Sequence, residues 1–316
     1  QRYLEKLAEM ISRYLTLPGR AVQPLADASF DTWIKFYRPD ANTPNATISY
    51  YQKGALVALL LDLRIRQATG NARSMDDLMR LLWERYGVPD TGFPEGAVED
   101  AAAEVAGTEL RGFFDHALRS TAELDFAGAL AVAGLQMVPV HEAALRPPPA
   151  GGPVPGGGPM PGAGPAPGAG QMRVPNESRT GLTLRGEGGR VVVVNVLAGS
   201  AAWRAGVNAG DELVALDGFR IPAPEWLNAR LMEHAPGAHA VLTVFRRDEL
   251  LTLPLPVEQG PPPRWMIRPA PDATPAQQAL LADWLRTVVP DGPAQESAGS
   301  PPAGWAPPAV VAEPGA

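Results

Sequence analysis

The 316-residue sequence contains no cysteine. That excludes disulfides, thiolate metal ligands and a cysteine nucleophile, but it selects no compartment, because reducing and oxidising compartments both hold proteins without it. Charge is sparse: 19% of residues are charged and the net charge is -7, with both signs spread along the chain. No basic stripe appears, which argues against a nucleic-acid partner. Long apolar runs are also missing. The longest, around residues 55–63, is too short to cross a bilayer and contains Asp62, with Arg64 just beyond it. Histidine occurs four times, as His116, His141, His234 and His239. The first residue is Gln1, already inside a helical pattern, with neither Met nor a signal peptide. Targeting information is therefore expected upstream, with bacterial periplasm or secretion favoured over cytoplasm.

Proline and glycine are plentiful, 35 and 33 residues, and they are concentrated. Residues 147–170 hold nine of each among 24 positions, with only Ala, Val and Met between them. Such a stretch cannot bury enough apolar surface to offset its ordering entropy, so it reads as a flexible linker. Its expected reach is roughly 25–30 Å. Five segments follow: a helical part at 1–145, the linker at 146–172, a β-rich domain at 173–258, an extension with a helix at 259–289, and a disordered tail at 290–316. The expected fold class is multidomain α+β, with an all-α N-terminal part.

Helical periodicity carries the first part. Leu4, Leu7, Met10, Ile11 and Leu15 repeat on one face, and Pro18-Gly19 stops that helix. From Tyr51 to Ala68 the apolar residues surround the axis, which places that helix in the middle of its domain. Ser74 with Asp77 forms a capping-box pattern that opens another helix, closed at Gly87. Further helices are expected at 97–106, 109–118 and about 121–131. Beyond the linker, strands are expected at Val191–Val196, Glu212–Leu216, Ala240–Phe245 and Leu250–Val257, and a last helix at about 275–288.

The run Val196–Gly218, VLAGSAAWRAGVNAGDELVALDG, resembles the core of a bacterial PDZ domain. Ala201, Ala202 and Ala205 make a small-residue helix face, and Asp217-Gly218 is a tight-turn pair. The resemblance implies a groove that takes an extended peptide as an added strand, its C-terminal carboxylate held by backbone N–H groups. It assigns the carboxylate loop to Gly181, Leu182, Thr183 and Leu184. The opposing wall is the helix Glu225–Glu233, with Leu227 and Leu231 facing groove or core. The groove could take a C-terminal peptide or the protein's own catalytic domain.

SYYQKGALVALLLDLRIR (Ser49–Arg66) looks like glycyl aminopeptidase-type zinc metallopeptidases. The resemblance extends to PGR at 18–20, SFDTW at 29–33, DDLMRLLWERYG at 76–87 and FFDHAL at 113–118. It implies a hydrolase that removes N-terminal residues from peptides or proteins, preferring Gly or Ala, with zinc held by an H-E-x-x-H helix and a later Glu. No such motif is present. In HEAAL, His141–Leu145, Leu145 stands where the second His must be, so His141 is no zinc ligand, and this chain alone is expected to bind no metal. In Tyr51-Gln52-Lys53-Gly54, the resemblance makes Tyr51 a neutral donor to the oxyanion, with Tyr50 as its rival. Lys53 reads as a solvated helix-start residue and Gly54 as a close-packing site. Arg20, Asp31 and Trp33 read as structural, and His234 and His239 as solvent-facing. The alternative function is a PDZ adaptor without catalysis.

Overall fold

The computed structural model describes residues 2–140, 180–258 and 264–286. The linker at 146–172, His141 and the tail from 290 onward lie outside them. Eight helices come first: α1 (Arg2–Thr16), α2 (Leu25–Phe30), α3 (Thr43–Ala46), α4 (Tyr50–Ala68), α5 (Met75–Leu82), α6 (Ala97–Ala106), α7 (Arg111–Arg119) and α8 (Phe126–Val132). The strand β1 (Leu135–Val140) follows. The β-rich domain holds β2 (Leu182–Glu187), β3 (Arg190–Val196), α9 (Ala201–Arg204), β4 (Glu212–Leu216), β5 (Phe219–Arg220), α10 (Pro224–Leu231), β6 (His239–Arg246) and β7 (Glu249–Pro256). The chain then forms β8 (Arg264–Pro269) and α11 (Pro275–Arg286).

The helix α4 organises the helical unit. Leu56, Leu60 and Leu63 enter one buried cluster with Leu7, Ile11, Tyr14, Leu130 and Trp284. Leu61 and Ile65 enter a second with Leu78, Ala101, Ala102 and Phe114. Burying these five α4 aliphatics alone contributes on the order of 10 kcal/mol before ordering entropy is subtracted. The capping box forms as its sequence demands, with Ser74 and Asp77 bonding reciprocally at the head of α5. Asp62, which interrupts the apolar run, is a bolt. Its Oδ2 lies 3.1 Å from Arg66 Nε, and its Oδ1 accepts the Met75 N–H at 2.8 Å. Arg66 also donates to Asn71 Oδ1 at 2.8 Å.

The helical unit is not all-α. β1 pairs antiparallel with β8, from Leu135 opposite Pro269 to Val140 opposite Arg264. The Trp265 N–H donates to Ser12 Oγ on α1 at 2.8 Å. Ile267, Leu280 and Trp284 lie in the same buried cluster as Leu7 and Leu56. The segment 264–286 therefore completes the helical core, and the β-rich domain sits between β1 and β8 in the chain. Periodicity could not show this, because the two strands are short and each contains a proline.

The β-rich domain has its own core, with Val191, Val193, Leu213, Leu216, Leu227, Leu231, Leu242, Val244 and Leu255 among its members. Its strands run β2-β3-β4-β6-β7 with β5 on β4, all antiparallel. β2 stands at one edge, and among the described residues no strand pairs with its outer side.

Two α4 residues depart from the sequence reading. Lys53 is not solvated: it is 0% exposed. A Cβ added at Gly54 would meet nothing within 4 Å, so this glycine serves no close packing here. Lys53 Nζ donates to the Ser120 carbonyl at 3.5 Å. Burial pushes its pKa below the ordinary lysine value, partly opposed by the charge of Glu123. Between that lowered value and about 10.4 the unfolded chain binds more protons than the folded one. Stability should therefore rise with pH across that window, with the full cost present below it. Lys53→Met is expected to raise stability at pH 7 by about 1 kcal/mol and to flatten the alkaline rise. Urea unfolding from pH 7 to 10.5 checks both, and a destabilised, equally pH-dependent variant would contradict the account.

Candidate functional site

The exposed head of α4 carries a cluster of phenols. Ser49 caps the helix, its side chain accepting the Gln52 N–H at 3.3 Å, and so fixes where the first turn begins. Tyr50 and Tyr51 stand on that turn with ring centroids 4.1 Å apart. Adjacent helix-start residues would ordinarily diverge, but a third phenol draws these together. The Tyr37 hydroxyl lies 3.1 Å from that of Tyr51 and 3.3 Å from that of Tyr50. Phe36 packs edge-on against Tyr50 with centroids 5.6 Å apart.

The two candidate donors differ in their surroundings. Tyr51 is 60% exposed, whereas Tyr50 packs partly against the buried core. Hydrogen bonds to Tyr37, Tyr51 and Thr32 lower the Tyr50 pKa below the ordinary phenol value. The Tyr37 pKa is raised, first by its bond to Tyr50 and then by that to Tyr51. An exposed aromatic surface adjoins the cluster: Phe30 is 90% and Trp33 77% exposed. Trp33 therefore contributes little to the core, contrary to its reading as a structural residue. Tyr37 is the functional candidate that sequence reasoning missed. Nothing in its spacing ties it to Tyr51; only the loop's path brings it there.

Polar support lies one turn behind. Arg20 Nε is 2.9 Å from Glu123 Oε1, the carboxylate whose charge partly opposes the lowering of the Lys53 pKa. Asp31 pairs with Lys35 on the surface.

No described residues offer a zinc site. Among them no group of three or more His, Cys, Asp or Glu could hold a metal ion. His116 Nε2 lies 2.8 Å from the Glu123 carbonyl. His234 is half-buried rather than solvent-facing, its Nε2 2.7 Å from Asp217 Oδ2. Asp217, at a φ of 51°, also accepts the Val241 N–H at 2.7 Å. That pair staples a turn. His239 is exposed on β6. The donor set therefore does not fit zinc.

A second feature is the β2 edge. Gly181 has a φ of 74°, and a Cβ built there would come within 2.2 Å of the Ser200 Cβ. The backbone closes around it: Leu197 N–H donates to the Gly181 carbonyl at 2.8 Å, and Ala202 N–H to that of Thr180 at 3.0 Å. Leu182 and Leu184 pack partly on the domain core, and Thr183 is exposed. On α10, Leu227 and Leu231 are fully buried in that core. Trp226 and Arg230 of that helix are half-buried, with Arg230 4.6 Å above the Phe219 ring.

An α4-centred helical unit with an open-edged β domain threaded into it defines the class. Residues 1–57 match the profile of the M61 glycyl aminopeptidase family, and residues 178–257 that of the PDZ domain. The chain thus joins a segment that matches the glycyl aminopeptidase profile to a domain that matches the PDZ profile. It is similar to an aminopeptidase N family protein from Idiomarina loihiensis, at 26% identity and a TM-score of 0.72 over 90% of this chain. The match covers 44% of that protein's chain, so this chain spans less than half its length. The HtrA-type protease AlgW with decapeptide shows 20% identity and a TM-score of 0.26, over 27% of this chain and 30% of that one. No curated protein matches. No described helix is long and apolar enough to cross a membrane.

Gly181→Ala is expected to lower PDZ stability by about 1–3 kcal/mol, because the left-handed backbone and the Ser200 contact both oppose a Cβ. Hydrogen exchange of the β2 and β3 amides reads this out. Unchanged protection would show that the loop relaxes freely.

Proposed function

We propose that this chain is part of a zinc-dependent aminopeptidase that removes N-terminal residues, and that Tyr51 supplies the oxyanion donor. The observation that carries the reading is the phenol cluster on the exposed head of α4, within the segment that matches the glycyl aminopeptidase profile. The preference for N-terminal Gly or Ala is an expectation from the same family. Zinc would supply electrophilic and water-activating chemistry in the whole protein. Its ligands would belong to other residues of that protein, since those described here form no donor set.

The residues of this chain position and donate. Tyr51 is the more exposed phenol, so its O–H can turn toward a substrate carbonyl. A phenol O–H stabilises developing negative charge by donating a hydrogen bond to it. Tyr37 holds the Tyr51 ring through its hydroxyl and can take up the bond that Tyr51 releases when substrate arrives. Tyr50, packed on the core and on Phe36, braces the pair. The PDZ domain offers the outer edge of β2, which no described strand covers, to an extended peptide, and this supports a role in holding peptide or protein substrates. Bacterial periplasm or secretion is the proposed location.

The test is Tyr51→Phe in the intact enzyme. The expected result is a fall in kcat of about 10²–10³-fold with metal content unchanged, the cost of one oxyanion donor. Tyr50→Phe should cost far less. Near-normal turnover by Tyr51→Phe would remove that phenol from the mechanism.

A further inference from the structure

The PDZ domain is held by more than its connections. Asn45, on α3, meets the stretch that follows β3 with both ends of its amide. Its Nδ2 donates to the Val196 carbonyl at 2.8 Å, and its Oδ1 accepts the Ala198 N–H at 2.8 Å. In return Asn195 Nδ2 donates to the Ala41 carbonyl at 2.9 Å. A flipped Asn45 amide would set oxygen against the Val196 carbonyl and N–H against N–H, so the network admits one orientation. Asp and Leu are near-isosteric with Asn, and neither supplies both a donor and an acceptor.

The turn that presents Asn45 is built beforehand. Asp40 Oδ1 accepts the Asn42 N–H at 2.9 Å, and Thr43 Oγ1 accepts the Asp40 N–H at 2.7 Å. Asn45 Nδ2 is shared with Asn42 Oδ1 at 3.1 Å. The contact lies at the end of the β2–β3 ladder, where Val196 faces Leu182 and Leu197 N–H bonds the Gly181 carbonyl. It therefore touches the back of the proposed carboxylate loop and leaves the outer edge of β2 open. The family resemblance suggested the groove itself as the place where the protein's other domain could dock, and the structure uses this other surface.

Three hydrogen bonds, two of them at exposed positions, would not hold two separate proteins. Here the domain is tethered. Between Val257 and Arg264 the chain can span at most about 25 Å. A short tether gives an effective concentration on the order of millimolar, at which a weak contact is well populated. We infer that Asn45 and Asn195 form an interdomain clamp that fixes the PDZ domain in one orientation on the helical unit while leaving its peptide edge free.

The absence of cysteine makes the test direct. Nitroxide labels at Ala58→Cys on α4 and Glu225→Cys on α10, both exposed positions, report the distance between the units by pulsed electron resonance in the full chain. A single narrow distribution is expected. Adding Asn45→Ala and Asn195→Ala should broaden it several-fold and strip the Ala198 amide of its exchange protection, with circular dichroism unchanged. Asn45→Asp, which keeps the acceptor and loses the donor, should broaden it as well and stands in if the double variant misfolds. A narrow distribution in both variants, or a broad one in the parent, would overturn the clamp.

Discussion

Burial of α4 along two flanks is the constraint on which the rest of the structure depends. Leu56, Leu60 and Leu63 face one cluster, and Leu61 and Ile65 the other. A helix so apolar cannot be covered by its sequence neighbours alone. The cover comes from α1 before it, from α5 to α8 after it, and from α11, which reaches the core only after the PDZ domain has been traversed. The helix is thereby rigid, and a rigid helix gives its first turn a fixed direction. Tyr50 and Tyr51 occupy that turn, and Tyr37 ties their hydroxyls. Lys53, one turn further in, shows the other side of the same constraint, since a cation has been drawn into the packing at a cost in solvation.

Much of this was legible in the sequence where the signal is local. The capping box at Ser74, the stop after α1 and the turn chemistry of Asp217-Gly218 are set by residues a few positions apart, and each appears where expected. The β1–β8 pair was not legible. Each strand is six residues long, Pro139 and Pro269 interrupt the pattern, and the partners are more than a hundred residues apart. The same limit hid Tyr37 and the His234–Asp217 pair, whose meaning arises only from the path of the backbone. Lys53 was misread because a lone lysine at the start of a helix is usually solvated, and only tertiary packing reverses that. Asn45 looks like an ordinary loop asparagine until Val196 and Ala198 are placed beside it.

The clamp and the proposed chemistry bear on one another through strand direction. β2 runs from Leu182, beside the clamp, to Glu187 at its far end. A peptide added antiparallel to β2 places its carboxyl end beside the clamp and its amino end away from it. On the proposed aminopeptidase reading, a short peptide in the groove could not also present its amino end at Tyr51. A long chain could, by looping back, or the groove could hold a different chain from the one being trimmed.

The helical unit is one folding body built from two pieces separated by the PDZ domain. Native-state hydrogen exchange on a chain ending at Glu258 tests it most directly. Without β8 and α11, the α4 and β1 amides are expected to lose most of their protection while those of β6 and β7 keep theirs. Undiminished protection in α4 would show that the later segment is an appendage, and the account would be wrong.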